Sequence, residues 1–305
     1  MASFLKKLFK YFTNPQYRFN TNFYRGYYNK WTDEKLLKKW FKLMLGYELN
    51  LNNPQTFNEK MQWLKLNNRK DIYITMVDKY LVKKYVSDII GEEYVINTLG
   101  VFNSFDEINF DTLPNEFVIK CTHNSGGLII CKDKSKLDIN DARKIFDKAL
   151  KINYFYYGRE WPYYNCKPRI IIEPLMKDFK YDYLPVYKFF CFKGEPKIIQ
   201  VIKNDKQKNE TIDYYDLEWN LLDLRQNYPN STIKIEKPKE LDKMIDIVKE
   251  LAHNEIPFLR VDLYSINNRI YFSEFTFFSD SGIAKFYPEK WDLELGNWID
   301  LSNIK

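Results

Sequence analysis

Two short runs near the carboxyl end, FLRVDLY at residues 258–264 and RIYFSEFT at 269–276, decide how the chain is read. Asn267 and Asn268 lie between them, and asparagine tolerates the positive φ of a tight turn. The pair therefore reads as a β-hairpin. A three-residue loop, Asn267 to Arg269, sets Asp262 opposite Glu274, Arg260 opposite Thr276 and Tyr264 opposite Phe272, whereas a two-residue loop sends the carboxylates to opposite faces. In the first register the two acids lie roughly 5 Å apart, where like charges destabilise a sheet unless a cation joins them. Oxygen donors on a rigid hairpin suit Mg²⁺. The competing reading is a solvated pair satisfied by nearby lysines. Val261, Leu263, Tyr271 and Phe275 alternate with the acids and read as core.

Working outward, further β-like runs occur at 94–102, 117–121, 127–131, 168–174, 186–192 and 196–202, and helical patterns at 139–152 and 239–253. Upstream the pattern is helical. Residues 31–45 read as a helix with Thr32 as N-cap and Gly46 as stop. Residues 56–67 carry the capping-box pair Thr56 and Glu59, and 71–90 read as one helix ending before Gly91. Strands joined by short turns and mixed with helices indicate an α+β fold with antiparallel sheets.

Residues 117–131, FVIKCTHNSGGLIIC, set an apolar strand ending in Lys120, a polar glycine-bearing turn and a second strand. Small residues let backbone N–H groups approach an anion, and the lysine adds positive charge. The Walker pattern is absent. An ordinary hairpin turn with an exposed lysine fits the same residues.

The chain has 305 residues, 45% hydrophobic and 29% charged, which excludes collagen, disordered and coiled-coil classes. Its length fits two domains or lobes. Cys121, Cys131, Cys166 and Cys191 form no CxxC pair, so reduced thiols in a cytoplasmic protein are expected. With only His123 and His253, histidine-rich metal sites are excluded. The net charge of +6 is local: residues 1–50 hold ten Lys/Arg against three Asp/Glu. There Phe4, Leu5, Leu8, Phe9 and Phe12 fall at helical spacing, with Lys6, Lys7 and Lys10 on the other side. This suits either peripheral contact with an anionic membrane surface, at residues 1–12, or a docked helix with a solvated basic face. The start is too charged for a secretory signal core. A near-neutral body without finger or recognition-helix signatures argues against nucleic acid.

Taken in order, Lys120 with its glycine turn, Ile170 to Glu173, and the two acidic strands resemble the ATP-grasp superfamily. More narrowly they resemble its TupA-like (teichuronopeptide-biosynthesis-like) branch among polysaccharide biosynthesis proteins. The resemblance covers about residues 54–301 and includes PQTFNEKMQWLKL, VDKYLVKKYV, LPNEFVIKCTHNSGG, YKFFCFKG, RVDLY, YFSEFTF and WDLELGNWIDL. It implies two α+β lobes gripping ATP, with a helical extension at 1–55, a preceding part at 56–115, a small lid at 116–178 and a metal-bearing part at 179–305. It implies phosphate contacts from Lys120 and from a loop of His123, Asn124, Ser125, Gly126 and Gly127, with Asn124 standing for a glycine at positive φ. Glu173, Pro174, Leu175 and Met176 match a hinge that pairs with adenine, and Lys188 a lysine near the nucleotide. Val186 stands where an acid is expected, leaving the ribose contact unassigned. Asp262 and Glu274 match Mg²⁺ ligands, with Thr276 in place of the usual asparagine. Arg260, with Lys120, matches a catalytic cation at the γ-phosphate. Asp78 and Lys79 match a family motif without a derivable role.

The implied activity is ligation of a carboxylate to an amine through an acylphosphate, acting on a small-molecule or glycan acceptor for surface polysaccharide. The loop 278–284 is expected at the acceptor site. The aromatic stretch 154–164 serves either packing or sugar stacking. Phosphoryl transfer to a sugar, glycosyl transfer and non-catalytic nucleotide binding are the competing classes.

Overall fold

A computed structural model describes residues 2–181, 183–203, 210–233, 235–302 and 304, the side chains of 2–4 excepted. It is an α+β molecule with two antiparallel sheets. The helices begin where local chemistry starts them. In α1 (Ala2–Thr13) and α2 (Pro15–Tyr24) the break falls at Asn14, whose side chain accepts from the Tyr17 N–H at 2.8 Å. Helix α3 (Asp33–Leu45) is capped by Thr32 and stopped by Gly46 at φ +92°. Helix α4 (Phe57–Asn67) carries the complete Thr56–Glu59 capping box.

The single helix expected over 71–90 is two, α5 (Ile72–Val77) and α6 (Leu81–Ile90). Asp78 turns to extended backbone, and its carboxylate accepts from the N–H groups of Tyr80 and Leu81, ending one helix and starting the next. Of the strand expected at 94–102, only β1 (Gly100–Phe102) pairs.

The first sheet, in the order β1–β4–β2–β3, contains β2 (Phe117–Cys121), β3 (Leu128–Cys131) and β4 (Ile170–Pro174), with α7 (Ile139–Ala149) on one face. The second, in the order β7–β6–β5–β8–β9, contains β5 (Val186–Phe192), β6 (Glu195–Lys203), β7 (Thr211–Tyr215), β8 (Phe258–Ile266) and β9 (Arg269–Thr276). Strand β7 carries no early signal in the sequence reading. Helices α4 to α6, α8 (Leu241–Leu251) and α9 (Lys290–Trp298) share the core of this sheet. Phe189, Val261 and Leu263 there are fully buried, and each such side chain stabilises the fold by about 1.5–3 kcal/mol. A third core, with Phe19, Leu37, Trp40 and Phe41, belongs to α2 and α3.

The decisive hairpin forms, but by a different route. Its turn has two residues, Asn267 at φ +52° and Asn268 at φ +61°, with Ile266 paired to Arg269. An irregularity after Asp262 leaves Ser273 as an extra residue, so Asp262 still faces Glu274 and Arg260 still faces Thr276. Between bulge and turn the register is shifted. Tyr264 faces Tyr271 rather than Phe272, and Phe272 is buried where Tyr271 was expected. The bulge does what a longer loop was expected to do.

Candidate active site

Between the two sheets lies a cleft of about 380 Å³. Its walls come from both sheets and from α6, so residues far apart in sequence meet there. Val82, Val95, Ile96, Val186, Ile202 and Phe272 supply an apolar slot. Four lysines (Lys79, Lys83, Lys120 and Lys188) and three acids (Glu173, Asp262 and Glu274) supply the charge among the described lining residues. This is the composition of a pocket for a flat apolar group joined to a polyanion.

Each acid has its own cations. Glu173, at the end of β4, is held by Lys120 at 2.5 Å on one oxygen and Lys83 at 2.6 Å on the other. Burial alone would raise its pKa, but the two ammonium groups outweigh burial and lower it. Burial likewise opposes the Lys120 charge, and Glu173 more than offsets it, so the Lys120 pKa rises. Asp262, 1% exposed, receives a bidentate bond from Arg260, Nε at 2.7 Å and Nη2 at 2.8 Å, with Lys188 at 3.3 Å. These cations hold its carboxyl below the usual range against the effect of burial. Glu274 is half-buried, and the Arg260 guanidinium lies 3.8 Å away.

Lys79 is fastened differently. Its Nζ donates to the Asn124 carbonyl at 2.8 Å and its N–H to the Thr122 carbonyl at 3.1 Å, so it carries the glycine-bearing loop. Burial lowers its pKa. Asp78 braces the same loop from behind: it is fully buried, pairs with Arg169 at 2.8 Å, and takes the Thr122 hydroxyl at 3.4 Å. The Asp78–Lys79 motif thus positions the loop, a role that tertiary contacts alone reveal. Lys83, Tyr264 and Ser273, which the sequence reading left out, also line the cleft.

Within the loop, Asn124, Ser125, Gly126 and Gly127 line the cleft. His123 does not. It is 2% exposed, turned into the protein, where it accepts from the Asn124 amide at 3.0 Å, and burial lowers its pKa. Asn124 does not adopt the left-handed backbone expected of it; Gly127 does, at φ +65°. A Cβ at Gly127 would lie 2.7 Å from the Cys121 sulfur and 2.9 Å from the Ala149 Cβ, so glycine is required there.

Other expected contacts lie elsewhere. Pro174, Leu175 and Met176 are outside the cleft lining, and only Glu173 of that hinge enters it, through its side chain. Arg260 sits behind Asp262, 8% exposed, its guanidinium committed to that carboxylate and, at 3.3 Å, to the Ser279 hydroxyl. It shares the sheet face of Asp262, two residues on, is outside the cleft lining and fixes the Asp262 carboxylate. Thr276 lies across from Arg260 and is also outside the lining.

The donor set fits a hard cation in part. Asp262 and Glu274 oppose each other on neighbouring strands and face one cleft. Both oxygens of Asp262 already take guanidinium bonds, and Lys188 approaches Oδ2 at 3.3 Å, so Oδ1 is the oxygen with a lone pair to spare. Among the described residues no three His, Cys, Asp or Glu side chains gather as a metal cage. Such a two-carboxylate site suits an ion that completes its shell with water and phosphate oxygens, as Mg²⁺ does.

Solved structures with a similar arrangement include D-alanine–D-alanine ligase from Bacillus anthracis in complex with ATP (14% identity, TM-score 0.37, 72% of this chain and 56% of that one). The D-alanine–D-alanine ligase from Helicobacter pylori aligns at 17% identity and TM-score 0.42, over 81% and 70%. N5-carboxyaminoimidazole synthetase from Staphylococcus aureus aligns at 12% and 0.39, over 66% and 44%. The chain spans little more than half the length of the Bacillus enzyme. No curated protein sequence matches it. The sequence profile described as TupA-like ATPgrasp matches residues 59–300, most of the chain and every side chain of the cleft, and the chain therefore belongs to the TupA-like ATP-grasp family.

Proposed function

We propose that the protein is an ATP-dependent ligase joining a carboxylate to an amine, and that its product enters surface polysaccharide. The observation that carries this reading is the cleft itself, an apolar slot continuous with four lysines and two opposed carboxylates. Family membership supports nucleotide use, and the ligases among the structures of similar arrangement are consistent with it.

In this reading adenine occupies the slot of Val82, Ile96 and Phe272, and the triphosphate runs along Lys120 and Lys188 under the loop 124–127. Asp262 and Glu274 would hold Mg²⁺, which when bound neutralises charge on the phosphates. The acceptor carboxylate oxygen attacks the γ-phosphorus, and the β–γ bridging oxygen leaves with ADP. The amine then attacks the acyl carbon, an amide forms, and inorganic phosphate departs with the bond electrons while the nitrogen gives up its proton to the departing phosphate. The steps need alignment and charge stabilisation rather than a protein nucleophile, which suits a site of lysines and carboxylates. Arg260 acts here as a positioning residue for Asp262.

The test is phosphate release from ATP with Mg²⁺, measured against panels of amino acids and uronic-acid sugars. The reading expects ADP and free phosphate to form together, only when carboxylate and amine are both present. A phosphorylated acceptor without free phosphate, or a nucleotide-sugar bound in preference to ATP, would overturn it.

A further inference from the structure

Helix α1 leaves both faces exposed, its apolar stripe as well as Lys6, Lys7 and Lys10. Leu5, Leu8, Phe9 and Phe12 form one face, and their exposures are 57%, 44%, 71% and 67%. None of them joins a hydrophobic core, including the one directly beneath α2. The helix instead turns polar contacts to the protein. The Tyr11 hydroxyl donates to Asn22 at 2.9 Å, and the Lys10 ammonium lies 4.9 Å from the Tyr17 ring centre. Phe4 lies outside the residues whose side chains are described. A docked helix with its basic face to solvent, the alternative open in the sequence, would bury this apolar stripe, and the structure leaves it bare.

Charge identifies what should cover it. The first 32 residues contain six Lys/Arg and no Asp or Glu. A second copy of the chain would bring a like-charged segment against the first, so self-association through this face is electrostatically opposed. An anionic bilayer offers acyl chains to the stripe and phosphates to Lys6 and Lys7. Tyr24 and Tyr27, 64% and 68% exposed, suit the headgroup level of such a surface. The segment that follows α2 is fixed to the body of the protein. Arg159 Nη2 donates to the carbonyls of Tyr28, Asn29 and Trp31 at 2.9–3.3 Å, tying it to the aromatic stretch 154–164. Among the described residues no helix is long and apolar enough to cross a membrane. We infer that residues 5–12 lie in the plane of an anionic lipid surface and hold the protein there.

Co-sedimentation of the full chain with vesicles tests this, using phosphatidylcholine alone and phosphatidylcholine mixed with phosphatidylglycerol. The expected result is binding to the mixed vesicles, weakened by salt, and little to the neutral ones. Replacing Lys6, Lys7 and Lys10 with Gln should lower partition by about tenfold or more. Phe9→Glu with Phe12→Glu should abolish it. Both substitutions are on exposed positions, so thermal unfolding and ATP binding should match the parent. Equal binding to neutral and mixed vesicles, no binding to either, or undiminished binding by the Phe variant would overturn the inference. So would a dimer in light scattering that the Phe variant dissolves while vesicles stay unbound.

Discussion

Asp262 and Glu274 face each other, yet they answer to different forces. Asp262 is sealed in with Arg260 and Lys188, so removing its charge strips a buried guanidinium of its bidentate partner. Asp262→Asn should therefore lose stability, by about 3–5 kcal/mol in denaturant unfolding, along with ATP turnover. Glu274 is half-buried, with the Arg260 guanidinium 3.8 Å away. Glu274→Gln should keep stability to within about 0.5 kcal/mol and lower kcat about a hundredfold or more. Equal stability losses in the two variants would contradict this division. Lys65 carries a pH signature. Fully buried, it has a pKa pushed down to about 8, mainly by burial, with Glu160 acting the other way, and its Nζ donates to the Ser281 carbonyl at 2.9 Å. Below pH 8 the folded and unfolded forms are both protonated, and the cost of the buried charge is constant. Between about 8 and 10.5 the folded form releases its proton first, so stability linked to Lys65 rises with pH. Lys65→Met should flatten that rise in unfolding free energies measured across pH 7–10.5.

The loop between β2 and β3 is the element on which function turns, and it hangs from Lys79. Lys79→Met removes the bond to the Asn124 carbonyl while leaving Asp78 and its cap in place. The expected outcome is a weaker affinity for Mg-ATP, by about tenfold, because the loop loses the charge-assisted hydrogen bond that holds it. Unaltered nucleotide affinity would contradict the loop's assignment. What was legible in the sequence at this scale follows from the range of the forces involved. Helix caps at Thr32 and Thr56 are settled within four residues, and both were readable. The break at Asp78 is made by a local cap, its carboxylate taking the N–H groups of Tyr80 and Leu81, inside a run whose apolar pattern reads as continuous helix; the bulge at Ser273 depends on neighbouring strands and has no local signal. Asp262, Glu274, Lys120 and Lys188 were readable as a set and do line one cleft. Lys83 was not, because only the return of β4 brings Glu173 to it. Arg260 was readable as important but not as bound to Asp262.

At the scale of the molecule, two sheets with separate cores enclose the cleft, and a third helical core sits beside them. Opening the gap between the sheets needs no disruption of either core, so nucleotide should stabilise the pair by bridging them. Calorimetric titration of Mg-ATP into the full chain, beside the Lys120→Met/Lys188→Met variant, probes the nucleotide site itself. One nucleotide should bind per chain, with Mg²⁺ required for full affinity and binding lost in the variant. No heat of binding at any nucleotide concentration, or an unchanged isotherm without those two lysines, would contradict it.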